Sequence, residues 1–465
     1  MLLEKTLVEK ILEAGLSTGA DFSEVYIEGK TSEAIQLIGG RVEKVGSSKI
    51  FGVGVRLALG LQSVYGYTNS KNPEELVKLA KDLSASFSKE EKTKRVPLME
   101  LEVGTKNAVK KNPKDVSLVE KVALMQKAYK AAKEYDEVIQ QVAIMLNDSS
   151  QEVLIANSEG RFVTETRVRV RAYIQAIAGK DGVMQTGGEG PGSGKGYEYF
   201  DEDISIEEIA KDAARTAKTM LFAEDCPSGI MPVIINNKFG GVIFHEACGH
   251  SLEATSVAKN ASVFCGKLNT QIANPIVTAI DDGTIENAWG SANFDDEGYP
   301  QQRRVLIDKG ILKTYMVDKL NSRRMDHKPT GSSRRESYKY APTSRMSNTY
   351  IDNGTSTFDE IIAATEYGLY AAKMGGGSVN PGNGDFNFSV SEGYIVRNGK
   401  IAEPVRGASL VGNGAEILHK IDMVGNNLDS ARGMCGSASG SIPADVGQPT
   451  LRVSSITVGG KKGAK

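Results

Sequence analysis

Residues 152–179, "EVLIANSEGRFVTETRVRVRAYIQAIAG", decide the fold because they lie in step with residues 33–60, "EAIQLIGGRVEKVGSSKIFGVGVRLALG". Apolar and polar positions alternate in both stretches and their turn glycines roughly coincide, the period-two signature of β-strands. "NPEELVKLAKDL", with Pro73 in its first turn, supplies a helix after the first stretch, and "ISIEEIAKDAARTAKTMLF" supplies one after the second. Two meander-plus-helix units imply an internal duplication, the alternative being two independent meanders. The expected N-terminal α/β domain spans 1–227, divided into repeated units 1–110 and 111–227.

Around this repeat, Leu3, Leu7, Ile11 and Leu12 share one face of a first helix. Gly-rich turns split "EVYIEG", "EAIQLIGGRVEKV" and "GVGVRLALG" into successive strands, polar residues 89–114 read as a connector, and "VSLVEKVALMQKAYKAAKEY" is an amphipathic helix. "GGEGPGSGKGYEYF" (187–200) does not make a phosphate loop. Glu189 stands where the first glycine belongs, and Gly196 follows Lys195 in place of Ser or Thr. It reads as a flexible or close-backbone loop.

"CPSGIMPVIINN" (226–237) leads into a second domain, 228–465, of short strands punctuated by glycine, with hairpin turns at "DKG" and "NGK" and one short helix at "FDEIIAATEYG". The fold class is α+β: an N-terminal α/β domain of duplicated meander-plus-helix units, then a domain of largely antiparallel twisted sheet.

Composition narrows the function. Lys and Arg (56) nearly balance Asp and Glu (58) among 465 residues, so no basic footprint points to nucleic acid or an anionic membrane. No stretch nears the roughly 20 apolar residues of a membrane span. Four cysteines spread over the chain do not suggest a disulfide framework, and a cytoplasmic location is expected.

The chemistry-bearing stretch is "VIFHEACGHS" (242–251), which holds two of the four histidines. His245 and His250 stand one residue further apart than the usual metallopeptidase pair. Five helical residues turn the chain by roughly 500°, leaving the two side chains about 140° apart. A π-bulge would realign them, as would a helix ending near Gly249; either predicts a local distortion. A third ligand is needed, with Cys435, Cys248, His327, His419 and several carboxylates as candidates. A cysteine would match the charge of the His₂Glu zinc sets, leaving Glu246 to take the proton from attacking water and deliver it to the leaving amine.

"FHEACGHSLEA", "GGGSVNPGNGDFNFSVSEGYIVRNGKI", "PVRGASLVGNG" and "GMCGSASGSIPADVGQPTLRVSSITVGG" resemble the TldD/PmbA family, and the intact His-Glu-x-x-x-His is similar to its TldD-type subunits. The resemblance implies a zinc metallopeptidase with one ion per subunit, acting on unfolded or extended peptides. It also implies a heterodimer with a TldE/PmbA-like paralogue, or a homodimer. Carried over by position, the ligands are His245, His250 and Cys435 and the base is Glu246. A non-catalytic peptide-binding subunit and a zinc amidohydrolase acting on a small molecule are the alternatives. Broad peptide specificity suggests binding to a strand edge, offered by "MGGGSV" (374–379, with Gly375, Gly376 and Gly377) or "DFNFSVSEG" (385–393). Arg334 and Arg335 are candidates to polarise a carbonyl or hold a peptide terminus.

Overall fold

The computed structural model of the chain describes residues 2–87, 94–101, 107–380 and 382–461. Helix α1 (Lys5–Gly15) precedes β1 (Phe22–Ile38), β2 (Arg41–Leu59) and β3 (Gln62–Thr68), and α2 (Pro73–Ser84) closes this half. Asn72 caps α2 by accepting from the backbone of Glu74 and Glu75. The short β4 (Met99–Glu100) leads to α3 (Leu118–Lys133), β5 (Ile139–Asn157), β6 (Arg161–Lys180), β7 (Val183–Glu189), β8 (Gly192–Ser193) and α4 (Ile206–Phe222).

These strands form one eight-stranded sheet in which β1 pairs antiparallel with β5 at the centre, from Glu24 opposite Asn157 to Ile38 opposite Ala143. The expected breaks within β1 and β2 do not occur; the strands run unbroken for 17 and 19 residues. Left-handed backbone marks the real turns, at Gly39, Gly40 and Gly60. Gly52 has a different task, since a Cβ there would lie 2.3 Å from the Tyr338 ring of the C-terminal half. The polar connector is not wholly irregular: β4 pairs parallel with β6, while 89–93 and 102–106 lie outside the described residues. Within 187–200, Gly196 is so close to Lys111 that a Cβ would lie 2.0 Å from its carbonyl oxygen. This stretch is largely buried, so close backbone approach explains its glycines and a flexible loop does not.

One face of the sheet is covered by helices. α1 supplies Ile11 and Leu12 and α2 supplies Leu76 to one core, while α3 and α4 close a second over Ile144, Val170 and Ile174. The other face meets the C-terminal half, where Tyr26, Val153 and Val163 pack on Phe294 and Tyr338. There, five strands close into a barrel in the order Gly229–Ile235, Leu451–Gly459, Ser409–Asn413, Asp385–Arg397, Tyr367–Val379 and back to the first. A six-stranded sheet beside it ends at the edge strand Asp429–Ser437.

Buried ion pairs join the two halves. Glu24 on β1 accepts from Arg56 at 2.7 Å and from Arg335 at 2.6 Å, and Arg56 also donates to Glu297 at 2.5 Å. Removing one partner from such a set strands the others without water, which costs about 3–5 kcal/mol. Glu24→Ala should therefore lower unfolding free energy by about that amount in a urea titration, whereas exposed Glu43→Ala should stay within about 0.5 kcal/mol of the parent.

Candidate metal centre

The segment carrying the two histidines changes pitch twice. Val242–Phe244 begins as α-helix, His245–Gly249 widens to a π-turn, and His250–Leu252 tightens to a 3₁₀ turn. The backbone N–H of His250 donates to the carbonyl of His245, so residues five apart become neighbours. Their ring centroids are 5.2 Å apart and the ring planes nearly perpendicular, at 85°. Of the two anticipated distortions, the widened turn is the one present. Gly249 keeps right-handed helical angles (φ −56°, ψ −50°) and does not end the helix. Its lack of a side chain serves packing, because a Cβ would lie 2.2 Å from the Met346 sulfur.

Cys435 arrives from the distant edge strand Asp429–Ser437. Its Sγ lies 3.2 Å from His245 Nε2 and 3.3 Å from His250 Nε2, and the three ligand atoms all fall within 4.8 Å of one another. A tetrahedral zinc, at roughly 2.0–2.3 Å from nitrogen and sulfur, needs N···S separations of about 3.5 Å, so the donor set fits such an ion. Burial opposes ionisation of Cys435, but the two imidazoles prevail and bring its thiol down to about 3. Burial likewise works against a charge on His250, and Glu253 with Cys435 outweighs it, holding His250 well above the usual histidine range.

Each imidazole is braced through its far nitrogen. His245 Nδ1 lies 2.9 Å from Thr349 Oγ1, and His250 Nδ1 lies 3.2 Å from Glu253 Oε2. Both rings thus present Nε2 to the cluster, the tautomer-fixing arrangement of metal-bound histidines. Arg345, fully buried, donates to the Cys435 carbonyl at 2.5 Å and to Ser439 Oγ at 2.9 Å, fixing the strand that carries the thiol. Its Nε lies 3.9 Å from Glu253 Oε1. Glu246 is half-buried, with a carboxylate oxygen 3.7 Å from His250 Nε2. That places a proton acceptor beside the ligand atoms.

Residues 228–460 match the PmbA/TldA metallopeptidase C-terminal domain, 111–221 its central domain and 23–87 its first domain. The chain belongs to the TldD/PmbA metallopeptidase family. It is 37% identical to the metalloprotease TldD homolog of Buchnera aphidicola subsp. Schizaphis graminum, covering 97% of this chain and 95% of that one. The Haemophilus influenzae TldD homolog is also 37% identical, over 95% and 93% of the two chains. The crystal structure of TldE from Thermococcus kodakarensis shares the fold, with a TM-score of 0.75 at 18% identity and coverage of 97% and 99%.

Other residues read as candidates from the sequence of this TldD/PmbA member stand elsewhere. Cys248 is fully buried beside the Gly414 carbonyl, where burial raises its thiol. His327 contacts the Lys328 carbonyl and His419 is exposed; neither joins the cluster. Arg335 is buried and committed to Glu24 and to the Asp296 carbonyl, so it is an internal tie rather than a substrate contact. Arg334 is buried too, and donates to the Met346 carbonyl. "DFNFSVSEG" is interior, flanked by strands on both sides. "MGGGSV" pairs on one side only, since the parallel partner strand reaches no further than Ala371. Gly375 and Gly377 serve that pairing, as Cβ atoms there would lie 2.3 Å from Ser389 Oγ and 2.2 Å from the Asn387 carbonyl; Gly376 faces open space.

Sequence reading missed Thr349, Arg345 and Glu253. Glu253 alone carried a local signal, an acid three residues beyond His250. Losing a carboxylate that orients a ligating histidine weakens metal binding by roughly ten- to hundred-fold. Glu253→Gln should show that loss in competition with a chromophoric chelator. Gly249→Ala should abolish stoichiometric metal binding by disturbing the π-turn against Met346, read by elemental analysis of the purified protein.

Proposed function

We propose that this chain hydrolyses peptide bonds in unfolded or extended peptides, using one zinc ion per subunit held by His245, His250 and Cys435. The convergence of two imidazole nitrogens and a depressed-pKa thiol, with the Glu246 carboxylate alongside, carries the reading. Two neutral nitrogens and one thiolate suit zinc among the divalent ions. Such an ion, when bound, supplies a Lewis acid and lowers the pKa of water towards neutrality.

The chain's own groups do the rest. Thr349 and Glu253 hold the two Nε2 atoms on target. Glu246 accepts a proton from the attacking water and returns it to the leaving amine nitrogen as the C–N bond breaks. An extended peptide gains main-chain hydrogen bonds along the free side of 374–379, which needs no particular side chains and suits broad specificity. The fold likeness to a TldE supports a pair with a TldE-like paralogue, and a second copy of this chain is the other partner considered. No described helix is long and apolar enough to cross a membrane. A thiolate ligand and four unbridged cysteines suit the reducing cytoplasm.

Bound zinc and cleavage of a random peptide mixture test the reading together. Glu246→Ala should retain its metal and lose roughly 10²–10⁴-fold in rate, the contribution of a positioned proton acceptor. Cys435→Ser should lose both metal and activity. Peptide binding without cleavage by the zinc-loaded parent would overturn the reading in favour of a silent binding subunit. Hydrolysis confined to small amides would favour an amidohydrolase.

A further inference from the structure

The stretch "RMSNT" (345–349) reaches every part of the metal cluster from one short run of chain. Thr349 Oγ1 stands 2.9 Å from His245 Nδ1, and the Met346 sulfur packs on Gly249 within the π-turn. Arg345 serves the other two ligands. Its guanidinium is fully buried between the strand that carries Cys435 and the segment that follows His250.

Among the described residues, every hydrogen bond of this guanidinium goes to one hairpin. Nη2 donates to the Cys435 carbonyl at 2.5 Å, and Nη1 donates to Ser439 Oγ at 2.9 Å and to the Gly440 carbonyl at 3.0 Å. The first strand of that hairpin, Asp429–Ser437, is a sheet edge with a ladder on one side only. Cys435 therefore owes to side-chain contacts part of the rigidity that an interior strand takes from two neighbours.

The remaining donor, Nε, lies 3.9 Å from Glu253 Oε1. Both atoms are buried, and neither has a hydrogen-bond partner among the described residues. A buried donor and a buried acceptor are rarely left unmade. These two belong to groups of opposite charge, and a shortening of about 1 Å would make them a charge-assisted hydrogen bond. The second oxygen of the same carboxylate stands 3.2 Å from His250 Nδ1. One line of polar groups thus runs from the His250 ring through Glu253 and Arg345 to the Cys435 carbonyl.

We propose that Arg345 is a positioning residue that couples two metal ligands: it locks the hairpin bearing Cys435 to Glu253, and through Glu253 to His250. The inference rests on the zinc site of the peptidase reading. It gives Arg345 no contact with substrate or ion. The task of the guanidinium is to fix the separation of the Cys435 sulfur and His250 Nε2, 3.3 Å, so that the ion meets a prearranged pair.

The test measures zinc affinity by chelator competition for the full-length parent, Arg345→Lys, Glu253→Gln and the double variant. Lysine keeps the charge and loses the planar fork. Each single change should weaken zinc binding roughly ten- to hundred-fold. The double variant should bind no more weakly than the weaker single one, because both changes cut the same link. Cobalt(II) in place of zinc should show altered visible bands in Arg345→Lys, a signature of ligand geometry that a role confined to fold stability would leave unmoved. Losses that multiply in the double variant, or parental affinity and cobalt bands in Arg345→Lys, overturn the proposal.

A second measurement needs neither metal nor a change at Arg345. In the metal-free protein, Glu253→Gln should speed amide hydrogen exchange several-fold at 435–440, a hairpin far from position 253 in the chain. Unchanged exchange there overturns the coupling, even if Arg345→Lys does not fold. If the parent binds no zinc, the peptidase reading fails, and the exchange measurement alone then decides whether Arg345 links the two segments.

Discussion

A thiol buried with two imidazoles ionises only if positive charge lies within reach, and that requirement governs the centre of this protein. The Cys435 thiol is held well below its usual range, against burial, because His245 and His250 stand 3.2 and 3.3 Å away. They can stand there only because the hydrogen bond from His250 to the His245 carbonyl widens the turn between them. A regular helix would carry the second ring well off to the side. Met346 fills the space beside this turn and tolerates nothing larger than glycine at position 249. One hydrogen bond between residues five apart thus decides whether two imidazoles of one turn and a remote thiol make a donor set.

The rest of the molecule holds the two halves of that set in register. Thr349 lies on the strand Asn348–Ile351, which pairs parallel with Gly440–Gln448, itself the partner of the strand bearing Cys435. Thr349 and Cys435 are therefore placed by two strands of one sheet with Gly440–Gln448 between them. Arg345 adds a direct tie to the Cys435 carbonyl, and Glu253 connects that tie to His250. The N-terminal sheet contributes from outside. Its helix-free face brings Glu24, Arg56 and Arg167 to acids and arginines of the C-terminal half, and Arg169 on the same face donates to the Trp289 carbonyl.

Much of this was legible in the chain itself. Alternation of apolar residues located the long strands, and Pro73, the helical runs and the "DKG" and "NGK" turns fell where expected, with Lys309–Gly310 and Asn398–Gly399 in the left-handed region that such turns demand. Misreadings came from glycine. Gly52 interrupts no strand; it makes room for Tyr338, a residue nearly three hundred positions away that no local pattern could announce. Paired Arg334 and Arg335 looked alike for the same reason. Only the folded chain pairs Arg335 with Glu24 and gives Arg334 the Met346 carbonyl.

The sequence alone determined the element types, a candidate set of metal-ligating residues and the need for a distorted turn, because periodicity, residue identity and helical geometry act over a few residues. Tertiary structure decided which distortion occurs, which distant groups orient each imidazole and which arginines are neutralised. Those outcomes depend on close packing and on charge separations of a few ångströms between segments far apart in the chain, and such distances exist only once the sheets have closed on one another.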